Sequence, residues 1–186
     1  MIKNRDSLKA KVANLASKTK IPNKYLIQNY MFEALIKRIS LSEYKNNFII
    51  KDGFLLASIF GVDLRSTMDL DTTIKGFSLD KDTIKVVIQK IIDIDVNDNI
   101  KFEIENIKPI REESFYSGFN VNLKAEFDGL RTNLMIDITT GDIITYKEIE
   151  FAYKTIFDKE IINIMTYNYE TILAEKFESI ISRNID

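Results

Sequence analysis

The sequence predicts an α/β (α+β) protein in which helices flank a β-sheet. Apolar residues recur at helical spacing in several segments, and shorter segments between them alternate apolar and polar residues. An Asp128-Gly129 pair separates two of the alternating segments, as expected for a two-residue hairpin turn. The chain has 186 residues, of which 45% are apolar, and it can therefore bury one sizeable core.

The predicted helices have apolar residues three and four positions apart. They cover residues 6–18, 23–40, 53–61, 81–93 and 169–183. The first two form a helical hairpin, in which Asp6 or Ser7 caps the first helix and Pro22 marks the boundary. Its basic face could contact nucleic acid, although such a run of charge is usually only a solvated surface. That face contains Lys9, Lys11, Lys18, Lys20 and Lys24.

The predicted strands are β-prone segments. They cover residues 67–74, 100–108, 119–127, 130–138, 151–156 and 160–165. A two-residue turn at Asp128-Gly129 pairs Phe127 with Leu130, and the same register sets Asp137 opposite Asn120. Asp137 is therefore expected on the polar face of its strand.

Asp69 and Asp71 are the residues that most clearly suggest chemistry. Side chains alternate along a strand, so both carboxylates project from one face while Leu70 points to the core. Such a pair offers hard oxygen ligands to Mg²⁺, and a turn at Gly53 could present backbone N–H groups to a phosphate. Asp137 would supply a third carboxylate. The alternative is a solvated surface pair, since Asp and Glu account for 28 of the 186 residues.

The composition excludes several classes of site. The chain has no His, Cys or Trp, which removes Ser-His-Asp and Cys-His catalysis, disulfides and zinc sites of the usual type. The formal net charge of −2 gives no overall basic field. The N-terminus has no continuous apolar segment typical of a secretory signal, and no run is long enough to span a membrane. We therefore expect a cytoplasmic protein.

Two neighbouring segments resemble the first motif of the nucleotidyltransferase superfamily. They are Ile-Lys-Asp-Gly-Phe-Leu-Leu at residues 50–56 and Arg-Ser-Thr-Met-Asp-Leu-Asp at residues 65–71. Together with Ile-Asp-Ile-Thr-Thr-Gly-Asp at 136–142 and Tyr-Glu-Thr-Ile-Leu-Ala-Glu-Lys at 169–176, they more closely resemble the AbiEii/AbiGii toxin family of bacterial toxin–antitoxin and abortive-infection systems. The resemblance extends over nearly the whole chain, including the helical lead-in at residues 30–40.

The resemblance implies a nucleotidyltransferase-like mixed sheet. Residues 1–45 would be the helical hairpin packed on the core, and residues 46–186 the core itself. The implied activity is a phage-defence toxin that uses Mg²⁺, or Mn²⁺ in its place, to transfer a nucleotide from a nucleoside triphosphate to an acceptor. RNA such as tRNA is the expected acceptor, a cognate antitoxin is the expected partner, and no membrane is involved.

The resemblance also implies roles for individual residues. Asp69, Asp71 and Asp137 would be the catalytic and metal-binding carboxylates. The implied substrate-binding residues are Gly53, Lys51, Ser66, Thr67 and Lys176.

Two departures from the family pattern leave alternatives open. Asp52 stands where the family has the first glycine of its pair, and a carboxylate there would repel a triphosphate or require a different loop geometry. The sequence also lacks the later Arg-x-x-Asp-x-Tyr-Asp-like motif, so we expect a chain cut before a C-terminal helical domain or a reduced family member. The alternative functions are a non-catalytic nucleotide- or partner-binding module and a purely structural domain.

Overall fold

The computed structural model describes residues 2–51, 69–77, 80–110, 118–142 and 144–183. Its helices are α1 (Arg5–Thr19), α2 (Asn23–Leu41), α3 (Lys81–Ile92) and α4 (Tyr169–Arg183). Its strands are β1 (Phe48–Ile50), β2 (Asp69–Ile74), β3 (Ile100–Pro109), β4 (Gly118–Phe127), β5 (Leu130–Thr140), β6 (Ile149–Lys154) and β7 (Ile161–Thr166). The helix predicted over 53–61 lies outside the described residues.

The strands of the described ranges form one mixed sheet in the order β3-β4-β5-β2-β1-β7-β6. Two neighbouring pairs, β2 with β5 and β1 with β7, are parallel. The remaining neighbours are antiparallel. The expectation of a mixed sheet flanked by helices is confirmed.

Three helices lie on one face of the sheet, which we call the helical face. There α2 packs against β5 and β7, α1 packs on α2, and α3 packs on β3 and α2. The core combines apolar residues of the helices and the sheet because each of these elements buries one side. Its members include Leu8, Val12, Met31, Leu35, Leu70, Ile84, Val121, Ile136 and Ile138.

A smaller cluster lies on the other face, where Ile49, Tyr167 and Ile172 are buried together. This cluster holds α4 against β1 and β7. The other apolar residues of α4 have a different environment, since Leu173 and Phe177 are 57% and 63% exposed. The apolar pattern that predicts α4 is therefore divided between a buried side and an exposed side.

Within the described ranges, no helix combines the length and apolar character that crossing a bilayer requires.

The helix caps differ in part from the prediction. The expected cap at Asp6 or Ser7 is wrong, because α1 begins at Arg5 and Asn4 is its N-cap. The Asn4 side-chain oxygen accepts a hydrogen bond from the Ser7 N–H at 2.9 Å. The N-cap of α3 is Asp80, and its carboxylate accepts the Thr83 N–H at 2.9 Å.

The hairpin between β4 and β5 confirms the predicted register. Asp128 and Gly129 both have positive φ, 48° and 76°, as a two-residue hairpin turn of this type requires. Phe127 pairs with Leu130, and Asn120 consequently pairs with Asp137.

Candidate functional site

Carboxylates from two parallel strands lie on the face opposite helices α1, α2 and α3, which we call the carboxylate face. β2 and β5 pair so that Asp71 is the direct neighbour of Asp137, and Leu70 is the neighbour of Ile136. Leu70 and Ile136 are both buried in the core, so the alternating residues project the other way. Asp69, two residues before Asp71, shares their face. The structure thus places all three predicted carboxylates on one side of the sheet.

These carboxylates belong to a row of residues that crosses the sheet. Lys108 pairs with Asn120, Asn120 pairs with Asp137, and Asp137 pairs with Asp71. On the far side of Asp71, the N–H of Lys51 donates to the Asp71 carbonyl oxygen at 2.9 Å. Neighbouring strands are about 4.8 Å apart, so the row places a lysine on each side of the two central aspartates.

The three aspartates differ in their environments. Asp71 is exposed, whereas Asp69 and Asp137 are half-buried. Burial raises the pKa of the Asp69 carboxyl above its ordinary value, and the nearby charge of Asp137 raises it further. Negative charge on Asp69 is therefore unfavourable beside Asp137, and a bound cation would offset the repulsion between the two carboxylates.

The donor chemistry suits Mg²⁺ without forming a complete cage. In the described ranges, no group of three acidic side chains is arranged to hold a metal ion. Mg²⁺ is usually bound by one or two carboxylates, and substrate phosphates and water complete its coordination. Asp71 and Asp137, with Asp69 alongside, fit that mode. The residues are consistent with an ion that arrives with a phosphate ligand.

Asp137 is oriented by a chain of side-chain amides. Asn120 Nδ2 donates to Asp137 Oδ1 at 2.6 Å. Asn122 Nδ2 donates to Asn120 Oδ1 at 2.6 Å and also to Asn106 Oδ1 at 3.0 Å. The chain runs from β3 through β4 to β5 on the carboxylate face.

Lys51, predicted to bind substrate, forms an ion pair at the edge of the site. Its Nζ lies 2.6 Å from Asp142 Oδ2 and 5.5 Å from the centre of the Tyr167 ring. Burial opposes ionisation of Asp142, but hydrogen bonds led by that from Lys51 lower the pKa of this carboxyl below its ordinary value. Thr139 also donates to Asp142 Oδ2, at 2.8 Å. The pair fixes Lys51 next to Asp71.

The other predicted substrate contacts are only partly described. Gly53, Ser66 and Thr67 lie outside the described residues. Lys176 is half-buried on α4, one turn after Ile172, which packs on the carboxylate face. Lys176 is therefore on the side of α4 that faces this surface, and its role as a triphosphate ligand stays a prediction.

A cavity of about 360 Å³ opens on the helical face, lined by residues of α2 and of the turn between β6 and β7. Several of its charged lining residues form ion pairs: Lys37 lies 2.6 Å from Glu160, and Asp98 lies 2.8 Å from Arg38, which is outside the cavity lining. The cavity contains none of the residues of the carboxylate face, and the sheet lies between them.

Sequence reasoning missed three residues beside the carboxylates. Asn120 could have been selected, since the hairpin register places it opposite Asp137. Lys108 could not, because β3 has an irregularity between Ile104 and Asn106 that shifts the alternation. Asp142 was included only as the last residue of the motif at 136–142, and its pairing with Lys51 depends on tertiary structure.

The fold is similar to those of two solved structures. The structure is similar to that of JHP933 from Helicobacter pylori, with a TM-score of 0.52 and 13% identity over 84% of this chain and 57% of that protein. It is also similar to a second H. pylori protein, described as a candidate nucleotidyltransferase, with a TM-score of 0.50 and 12% identity over 84% and 59% of the two chains. The chain thus spans less than two thirds of the length of either structure.

Among curated proteins, the sequence has no match. Residues 34–186 match the family model described as nucleotidyl transferase AbiEii toxin of type IV toxin–antitoxin systems. This range contains β1, β2 and β5, and with them the three aspartates of the carboxylate face. The chain therefore belongs to the AbiEii nucleotidyl transferase toxin family.

Proposed function

We propose that this chain transfers a nucleotide from a nucleoside triphosphate to a hydroxyl group of an RNA acceptor, such as the end of a tRNA. The observation that supports the proposal most strongly is the pairing of Asp71 with Asp137 on parallel strands, with Asp69 on the same face. Membership of the AbiEii family supports the reaction class. A cognate antitoxin and a role in phage defence are proposed on the same ground.

Asp69, Asp71 and Asp137 would hold Mg²⁺ or Mn²⁺ together with the triphosphate. When bound, such an ion neutralises phosphate charge and favours ionisation of an attacking hydroxyl. In the transfer, the acceptor oxygen bonds to the α-phosphorus and the bond to the β-phosphate oxygen breaks. Pyrophosphate leaves, and the acceptor proton passes to solvent.

The lysines of the row would act on the anionic substrates. Lys51 is held beside Asp71 by Asp142, at 2.6 Å, so its charge is fixed near the position of the triphosphate. Lys108 lies on β3, on the other side of Asp137, and its side chain is exposed. We assign Lys108 to acceptor phosphate and Lys176 to the triphosphate, because a lysine ammonium offsets phosphate charge.

The test is to incubate the purified chain with each labelled nucleoside triphosphate, Mg²⁺ and total RNA. We expect label to enter RNA. Asp71→Asn and Asp137→Asn should reduce transfer by at least about 100-fold, because each removes charge from the proposed metal site. Asp82→Asn, on the exposed side of α3, is the matched control and should leave transfer unchanged. Equal transfer by all four proteins would refute the proposal.

A second candidate function is a nucleotide-binding module without turnover. The specific observation in its favour is Asp52, a carboxylate that stands where the family has the first glycine of its pair. In that case, triphosphate with Mg²⁺ would raise the melting temperature while no label entered RNA. Transfer above the level of the Asp137→Asn protein would exclude this alternative.

A further inference from the structure

The amide of Asn120 holds the Asp137 carboxylate in one orientation by direct contact. Asn120 Nδ2 lies 2.6 Å from Asp137 Oδ1, and the two residues are direct neighbours in the β4–β5 register. We propose that Asn120 is a positioning residue that aims the Asp137 carboxylate at the bound cation. This inference rests on the proposed function, since it assigns Asn120 to the same site.

The direction of the hydrogen bonds follows from the charge of Asp137. An ionised carboxylate only accepts hydrogen bonds, so Asn120 must present its NH₂ group to Asp137 and its oxygen to Asn122. Asn122 must then present its own NH₂, whose two hydrogens reach Asn120 Oδ1 at 2.6 Å and Asn106 Oδ1 at 3.0 Å. Each amide in the chain therefore has one orientation that satisfies its neighbours.

The contact affects only one oxygen of Asp137. Asn120 engages Oδ1, and Asp71 lies on the opposite side of Asp137 across the parallel pair. A neutral amide can hold Oδ1 without removing the negative charge that a cation needs, whereas a lysine at that position would compete with the cation. Groups that orient metal-binding carboxylates commonly affect metal affinity by about 10- to 100-fold.

Amide chains can also simply stabilise a sheet through cross-strand contacts. The two explanations differ in what the loss of the amide changes. A stabilising contact would lower the melting temperature without changing the affinity of folded protein for a metal ion. A positioning contact would lower that affinity in protein that remains folded.

The first experiment measures binding of Mn²⁺, in the presence of inorganic triphosphate, by electron paramagnetic resonance on the full chain. We expect Asn120→Ala and Asn120→Leu each to weaken Mn²⁺ binding by about 10-fold or more. Asn133→Ala is the matched control, since Asn133 has an exposed side chain four residues before Asp137 on the same face of β5. It should bind Mn²⁺ as the unmodified chain does.

The second experiment tests the contact without metal or activity. Side-chain amide signals of Asn120, Asn122 and Asn133 are compared by NMR between the unmodified chain and Asp137→Ala. We expect the hydrogen-bonded Asn120 proton to move upfield, Asn122 to follow with a smaller shift, and Asn133 to stay in place. An unchanged Asn120 signal would overturn the inference even if the Asn120 variants did not fold.

The results separate this inference from the proposed function. Mn²⁺ affinities equal to that of the unmodified chain in both Asn120 variants overturn the positioning role, while nucleotide transfer by the unmodified chain would still stand. If the Asn120 variants bind Mn²⁺ more weakly but the unmodified chain transfers no nucleotide, the positioning role is supported and the proposed reaction is refuted. An unmodified chain that binds no Mn²⁺ with triphosphate overturns both.

Discussion

Glu33 is a buried carboxyl on α2 whose titration should make folding stability depend on pH. Its side chain is 4% exposed, and its Oε1 accepts hydrogen bonds from the Tyr153 hydroxyl and the Ile156 N–H, both at 2.7 Å. Burial raises the pKa of Glu33 from the ordinary value of 4.5 to about 7, although the two hydrogen bonds act in the opposite direction. The perturbation that isolates this effect is Glu33→Gln.

The sign of the effect follows from proton binding. Between the unfolded pKa of 4.5 and the folded pKa of about 7, the folded chain retains a proton that the unfolded chain releases. The contribution of Glu33 to folding stability is therefore fully present below pH 4.5, and it is lost as the pH rises from 4.5 through 7. The shift corresponds to about 3 kcal/mol of unfolding free energy. Glutamine stays neutral and its oxygen can accept both hydrogen bonds.

The assay is urea unfolding followed by circular dichroism at pH 4.5, 6 and 8. We expect the two chains to have similar stability at pH 4.5, and Glu33→Gln to be more stable by about 3 kcal/mol at pH 8. The stability of Glu33→Gln is compared with that of the unmodified chain at the same pH. This comparison cancels the contributions of Asp142 and Glu148, whose pKa values are lowered in the folded chain and whose effect on stability therefore has the opposite dependence on pH. Glu105→Gln, at an exposed position on β3, is the control. A difference that does not change with pH would refute the reasoning.

Three further outcomes are expected. Arg38→Met should destabilise the chain by about 3–5 kcal/mol in urea unfolding, because it leaves Asp98 without the two 2.8 Å bonds of the Arg38 guanidinium. Gly118→Val should cost about 1–3 kcal/mol in the same assay, since even its Cβ would lie 3.2 Å from a backbone carbonyl of β5. Lys108→Glu should weaken RNA binding in a filter assay and reduce its salt dependence, whereas Lys9→Glu on α1 should not.

The β4–β5 hairpin shows what could be predicted from the sequence. Both the turn and the alternation are local, and a two-residue turn fixes every pair that follows it. The Asn120–Asp137 pair, 17 positions apart in the sequence, could thus be predicted from the hairpin alone. The parallel pairing of β2 with β5 could not, because no local pattern specifies which distant strand becomes a neighbour. The sequence did predict that Asp137 would join Asp69 and Asp71, from the polar face of its strand and from the family resemblance, but it did not predict the strand pairing that brings them together.

The irregularity in β3 explains why Lys108 was missed. Strict alternation from Ile100 would place residue 108 on the helical face with the core. The extra residue between Ile104 and Asn106 reverses this, so Ile107 is buried and Lys108 projects from the carboxylate face. The position of a bulge depends on the partner strand, and the sequence of β3 alone does not reveal it.

The arrangement of layers restricts where an acceptor could approach. The lysines of α1 lie on the helical face, on the other side of the sheet from the carboxylates, so they do not line the proposed site at Asp137. On the carboxylate face, α4 covers the side near β1 and β7 through Ile172. The described residues on the other side, over β3 and β4, are polar and include exposed Lys108. For the RNA acceptor that we propose, we therefore expect binding across β3 and β4, with its phosphates near Lys108 and its hydroxyl group near Asp137.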